Sequence, residues 1–158
     1  PLEVRIIPSY EVVSSLGMLN SYTGLILPLI ASATATFFFR QFFKTIPDEL
    51  LEAAQLDNAG PVRFFIDILF PLSKTMMAAI FIIMFVVGWN QYLWPFLITT
   101  DDHYYTLVMS IQRQLSVGDG EVMWNQVMVS CVLAMLPPVL VVIGMQKLFV
   151  KGLVDTEK

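Results

Sequence analysis

Three stretches of the chain, 22–39, 76–98 and 127–145, contain no Asp, Glu, Lys, Arg or His. As helices rising 1.5 Å per residue they measure about 27, 35 and 29 Å, close to or above the ~30 Å hydrocarbon thickness of a bilayer. The pattern predicts three membrane-spanning helices. The eleven Leu, Ile, Phe and Val residues of 76–98 favour insertion by at most about 3–7 kcal/mol, and one central Lys would cancel about half of that. The run at 22–39 is the weakest, because Pro28, Ser32, Thr34 and Thr36 dilute its Leu, Ile and Phe residues, and its place in lipid is expected to depend on neighbouring helices.

Between the first two runs lies a polar segment, 45–74, with a helical pattern of its own. Pro47 suits a first helical turn, Asp48 and Glu49 favour the positive end of the helix dipole, and 50–56 are good helix formers. A short helix is expected over 47–56. Asn58 tolerates positive φ better than any residue except Gly and can end it, after which Gly60 and Pro61 start a second helix that Pro71 is expected to close. Ala53 and Ala54 give the first helix a narrow side for close backbone approach, and Glu52 adds a charge beside them.

Composition sharpens this picture. Apolar residues make up 56% of the 158 and charged ones 14%, against ~45–50% and ~25% in an average soluble domain, which excludes an ordinary soluble fold. The net charge of −4 leaves no basic excess for phosphate backbones and argues against a nucleic-acid partner. Arg40, Lys44, Arg63 and Lys74 lie between the first two runs and Lys147, Lys151 and Lys158 follow the third, whereas 101–125 holds Arg113 alone among Lys and Arg. Positive-inside reasoning therefore places 40–75 and the tail in the cytoplasm, and 1–21 and 99–126 outside. Asp48 and Thr156 should then be reached from the cytoplasm and Asp119 from outside. Tyr92, Trp94, Tyr104, Tyr105 and Trp124 cluster toward the outer edge, either as an interfacial belt or as packing residues.

Beginning at Pro1, without initiator Met, signal peptide or basic leader, the chain is expected to be the carboxy-terminal part of a longer membrane protein. Cys131, the single cysteine, falls inside the third run as a small apolar residue. Catalysis finds little support. Glu49, Glu52 and Asp57 resemble a carboxylate set, but His103 is expected across the membrane from them, Ser32 and Ser130 have no basic partner, and metal-ligand spacing is absent. No GxxxxGK[ST] segment is present to hold nucleotide phosphates, so no cofactor and no catalytic or metal site is expected and ATP would be bound elsewhere.

The loop motif carries a family resemblance. Glu52-Ala53-Ala54, three residues, Asn58, nine residues and Ile68-Leu69-Phe70-Pro71 resembles the EAA loop of binding-protein-dependent ABC importers, which reads EAA, three residues, Gly, nine residues, I-x-L-P. Asn58 replaces the Gly with another residue able to adopt the left-handed conformation, and Phe70 replaces a Leu with a larger apolar group. LNSYTGLILP at 19–28, WNQYLWP at 89–95 and the KGLVDTEK ending are similar to permeases of the carbohydrate-uptake branch. VRIIPSYEVV, ATATFFFRQFF and GWNQYLWPFLI are most similar to the importers of sn-glycerol-3-phosphate in that branch.

The resemblance implies an all-α fold, the carboxy-terminal part of a six-helix type I importer permease in the bacterial inner membrane. It implies uptake of sn-glycerol-3-phosphate or related glycerophosphodiesters, with a sugar or oligosaccharide as the other reading. Implied partners are a second permease subunit, two ATP-binding subunits and an extracytoplasmic solute-binding protein, with the bilayer around them. The ATPase would receive the loop helix through Glu52, Ala53, Ala54, Asp57, Asn58 and Gly60; outside such an assembly Glu52 would be an ordinary solvated acid.

Within the apolar runs Asn90 and Gln91 most need explanation, because an unpaired amide at that depth is costly. They either bond between helices or line a translocation path. Ala31/Ala35 and Ser32/Thr36 are small pairs suited to helix contact, and Pro28 and Pro137-Pro138 are expected to bend their helices. Since no run holds a basic residue, the main recognition of a phosphate dianion is expected in the binding protein.

Overall fold

The computed structural model describes residues 2–116 and 120–154, with side-chain positions for 4–116 and 120–146. Asp119 and Thr156, and the end of the tail at 155–158, lie outside the described residues. Every regular element among the described residues is helical, as expected for apolar segments that must satisfy their backbone internally in lipid. The chain divides into two compact units, 1–31 with 86–140 and 32–85 with 141–158.

The first unit opens with α1 (Leu2–Ser15) and, after a turn shaped by Gly17 and Asn20 at φ 66° and 51°, continues into α2 (Tyr22–Ile26) and a 3-10 turn over Leu27–Leu29. Ser21 starts α2 by accepting the Gly24 N–H on its side chain at 3.1 Å, a conventional N-cap. Later in the chain come α8 (Leu93–Ile98) and α9 (Leu107–Leu115), the latter capped by Thr106. The core of this unit joins Ile6 and Val13 of α1 to Trp94 and Ile98 of α8, with Met18, Leu19, Leu25 and Leu29 packed around them. Trp94 is fully buried and donates its indole N–H to the Gly24 carbonyl at 3.2 Å. Burying an indole contributes at most roughly 4–6 kcal/mol. A Cβ on Gly24 would run into the Met18 carbonyl, so only glycine lets the backbone come this close.

The second unit carries α3 (Ala33–Phe43), α4 (Asp48–Leu56), α5 (Pro61–Phe64), α6 (Phe70–Leu72) and most of α7 (Lys74–Trp89), with a π-helical turn over Phe65–Leu69 joining α5 to α6. The second loop helix thus passes Pro71 and ends at Leu72. In an ordinary α-helix Pro71 would leave the Asp67 carbonyl without a donor and crowd it. The π turn loosens the register just before it: Phe70 donates five residues back to Phe65, so the proline is accommodated instead of terminating the helix. Ser73, nearly fully buried, then donates its hydroxyl to the Leu69 carbonyl at 2.6 Å, and α7 leaves at 69° to the Pro61–Leu72 segment.

Two of the three uncharged runs are interrupted. In 22–39, Pro28 falls in the 3-10 turn and Ser32 caps a fresh helix by accepting the Ala35 N–H at 3.2 Å. In 76–98, α7 stops at Trp89 and α8 begins at Leu93, because Pro95 fits the first turn of a new helix but would clash with the Gln91 carbonyl in a continuous one. The third run lies within α10 (Trp124–Val154), which continues through Pro137 and Pro138. By length and composition, one described helix, Trp124–Gln146, can cross a membrane. The number becomes three if Tyr22–Leu29 with Ala33–Phe43, and Pro61–Leu72 with Lys74–Trp89, each make one interrupted span.

Candidate functional site

The polar segment after α3 builds a defined turn. Pro47, extended at ψ 140°, stands immediately before α4, and Asp48 and Glu49 occupy its first turn, where carboxylates meet the positive end of the helix dipole. At the far end Asn58 sits at φ 53°. Its N–H donates to the Gln55 carbonyl at 3.0 Å, and the Ala59 N–H donates to the Ala54 carbonyl at 2.8 Å. These two bonds, with a left-handed residue between them, make a Schellman ending in which Asn58 takes the place usually held by glycine. Gly60, at ψ 165°, then leads into Pro61 at the start of α5.

Adjacent helical residues point about 100° apart, so Ala53 and Ala54 cannot serve one surface equally. Ala54 is buried, whereas Glu52 and Ala53 are exposed. Ala54 helps line a pocket of about 390 Å³ inside the loop with Ala59, Phe64 and Ile68, edged by Asp57, Arg63 and Asp67. Arg63 pairs with Asp67 one turn later at 3.2 Å, both side chains well exposed, so the pair adds little stability. Glu52 and Ala53 are both open to solvent, as are the apolar side chains of Leu56, one turn after Glu52 at 85% exposure, and Val62 at 70%. Isolated water gains nothing from such groups; a protein surface does.

Asn90 and Gln91 fall in the break between α7 and α8. The Asn90 amide donates back to the Val86 carbonyl at 2.8 Å, which caps its own helix, and Gln91 is half-buried beside it. The bond between helices comes from Trp89, whose indole N–H donates to the Ala134 carbonyl of α10 at 3.0 Å. That carbonyl is available for a reason: its helical donor would be the N–H of residue 138, which is Pro138. Ser130 of α10 exchanges hydrogen bonds with the Gln114 amide of α9 at 3.2 and 3.3 Å.

A second junction was not singled out by sequence reasoning. Asn20 accepts the N–H groups of Thr100 and Asp101 on its side-chain oxygen at 2.7 and 3.1 Å, donates its amide to the Thr100 hydroxyl at 3.0 Å, and donates its own N–H to the Ile98 carbonyl. The signal was a polar residue compatible with the left-handed conformation between two apolar runs. Among the aromatics expected at the outer edge, Trp94 is a packing residue. Tyr22 and Tyr104 meet edge to face at 5.0 Å, and Tyr105 carries the Arg113 guanidinium 4.1 Å above its ring; Trp124 stays 60% exposed. The exposed groups of Asp101, Asp102 and His103 lie within 4.8 Å of one another, where Asp101 accepts the His103 N–H and caps a 3-10 turn.

Residues 6–155 match the family described as the binding-protein-dependent transport system inner membrane component. The whole chain is 60% identical to the sn-glycerol-3-phosphate transport system permease protein UgpE of Pectobacterium atrosepticum and to the protein of that name in Escherichia coli K12. It is 59% identical to the corresponding protein of Brucella melitensis. In each case it spans 56% of the relative's length.

Proposed function

Since the chain belongs to the binding-protein-dependent transport system inner membrane component family, we propose that it forms part of the permease subunit of an ATP-driven importer for sn-glycerol-3-phosphate or related glycerophosphodiesters. The observation that carries this reading is the 60% identity, running the full length of the chain, to permeases named for that transport. The chain is an inner-membrane protein, and its relatives are transport proteins.

In this reading the segment 45–74 faces the cytoplasm and α4 is the piece that an ATP-binding subunit grips. Glu52 and Ala53 lie on the gripping side, while Ala54, Asp57, Asn58 and Gly60 shape the turn behind it. The Schellman ending, the Gly60-Pro61 restart and the buried Ser73 hydroxyl make a stiff path from α4 into α7. Closure of two ATP-binding subunits around nucleotide then moves α4, and through this path the apolar segments at 22–39, 76–98 and 127–145, which cross the membrane with the first two interrupted. A second permease subunit completes the path, and an extracytoplasmic binding protein delivers the solute. Asn90 and Gln91, at a break in a run without basic residues, offer the solute amide groups and water rather than a charge-neutralising site. Choice of substrate accordingly rests with the binding protein.

Isolation of the assembled complex with its binding protein, followed by mass spectrometry of the bound solute, tests the assignment. A glycerol phosphate or glycerophosphodiester is expected. A neutral oligosaccharide in its place would move the chain to the sugar-importing reading.

A further inference from the structure

We propose that the groove between α3 and the Phe65–Met77 stretch binds an anionic phospholipid, with its phosphate on Arg40 and Lys44 and an acyl chain along the phenyl groups. The groove has a volume of about 780 Å³, within the range of sites that enclose small organic molecules. Phe39, Phe43, Phe65, Phe70 and Met77 form its apolar bed, and Phe43, Phe65 and Phe70 are 37–48% exposed.

The cationic end gives this surface its chemistry. Arg40 and Lys44 lie four residues apart at the end of α3, on one side of the helix, where like charges repel. The groove lining contains no Asp or Glu, and among the described residues the ion pair is formed by Arg63 and Asp67, not by either of these cations. An anion between them removes the repulsion. A zwitterionic headgroup brings an ammonium back to the same place, so the site favours phosphatidylglycerol over phosphatidylcholine.

Depth points the same way. Arg40 directly follows the uncharged run 22–39, so the basic pair sits where apolar sequence gives way to polar, the level of a phospholipid headgroup on whichever side of the membrane it lies. A soluble phosphate gains nothing from the phenyl bed; a lipid covers both parts. The proposal depends neither on the transported solute nor on the sidedness of the loop.

The test uses the assembled complex in bilayer nanodiscs, with phosphatidylglycerol carrying a photoreactive group on its acyl chain. Label is expected on the peptides of 64–77, weakly from the phosphatidylcholine analogue, and undiminished by excess sn-glycerol-3-phosphate. Each basic residue removed should lower labelling about fivefold, so Arg40→Gln with Lys44→Gln lowers it about 25-fold. The Arg40→Lys, Lys44→Arg pair should retain it, which separates loss of charge from loss of folding. Equal labelling by phosphatidylcholine would overturn the proposal, as would competition by glycerol phosphate or indifference to the Gln pair. Absence of label with a protein crosslinked over the groove would show another occupant and overturn it too.

Discussion

The Trp94 indole donates to the Gly24 carbonyl, and a side chain at position 24 would run into the Met18 carbonyl, so Trp94 and Gly24 work as one contact between residues seventy positions apart. Trp94→Phe keeps most of the apolar area but leaves the Gly24 oxygen buried without a donor. It should lower stability by about 1–3 kcal/mol, read as a fall in the midpoint of thermal unfolding in detergent. An unchanged midpoint would mean that water already satisfies that oxygen. At Asn58 the backbone conformation itself is the constraint. Asn58→Val should cost about 1–2 kcal/mol by forcing a β-branched residue into the left-handed region, whereas Asn58→Gly should hold or raise stability. Equal destabilisation by both substitutions would show that the Asn side chain matters more than its φ.

Among elements, the most informative contact is Trp89 on the Ala134 carbonyl, which exists because Pro138 withholds the helical donor. Trp89→Phe should therefore destabilise by about 1–3 kcal/mol in the native background. In a Pro138→Ala background, where residue 138 regains an N–H, most of that penalty should vanish. A double-mutant cycle with no coupling would refute the pairing of these two features. The loop helix allows a different kind of prediction. Glu52 is exposed, so Glu52→Lys should leave insertion and thermal stability within about 0.5 kcal/mol of the parent. Reversing a charge in a docking surface, however, should cost a few kcal/mol of assembly. ATPase activity stimulated by the loaded binding protein, and uptake in proteoliposomes, should both drop at least tenfold. Normal coupling in the Lys variant would remove Glu52 from the contact.

For the whole molecule the charge distribution sets the expected sidedness. Four Lys or Arg residues in 40–75 against one in 99–126 set the expected orientation, and single cysteines in a Cys131→Ser background can read it. A cysteine at Asp48 should react with a membrane-impermeant thiol reagent only from the cytoplasm, and one at Glu121 only from outside. Reaction of the Glu121 site from the cytoplasm would invert the orientation and detach the loop from any ATP-binding subunit.

The all-helical class, the three uncharged runs, the short loop helix and the left-handed residue that ends it were legible in the sequence. Each depends on neighbours within a few turns: hydropathy accumulates along a run, and Asn58 followed by Gly60-Pro61 meets the stereochemical needs of a turn in a few residues. Even there, local competition moved boundaries. Pro95 divided one run, while Pro71, expected to end a helix, was absorbed by the π turn before it. What only the tertiary structure decided is which groups satisfy one another across the chain: Asn20 with Thr100, Trp94 with Gly24, Trp89 with Ala134. It also decided that Ala54 turns inward while Ala53 stays exposed, and that the phenyl groups of α3 face those of the Phe65–Met77 stretch. An apolar run records that a segment must leave water. It does not record which orphaned carbonyl a distant indole will meet, because that depends on the packing of elements brought together only when the chain has folded.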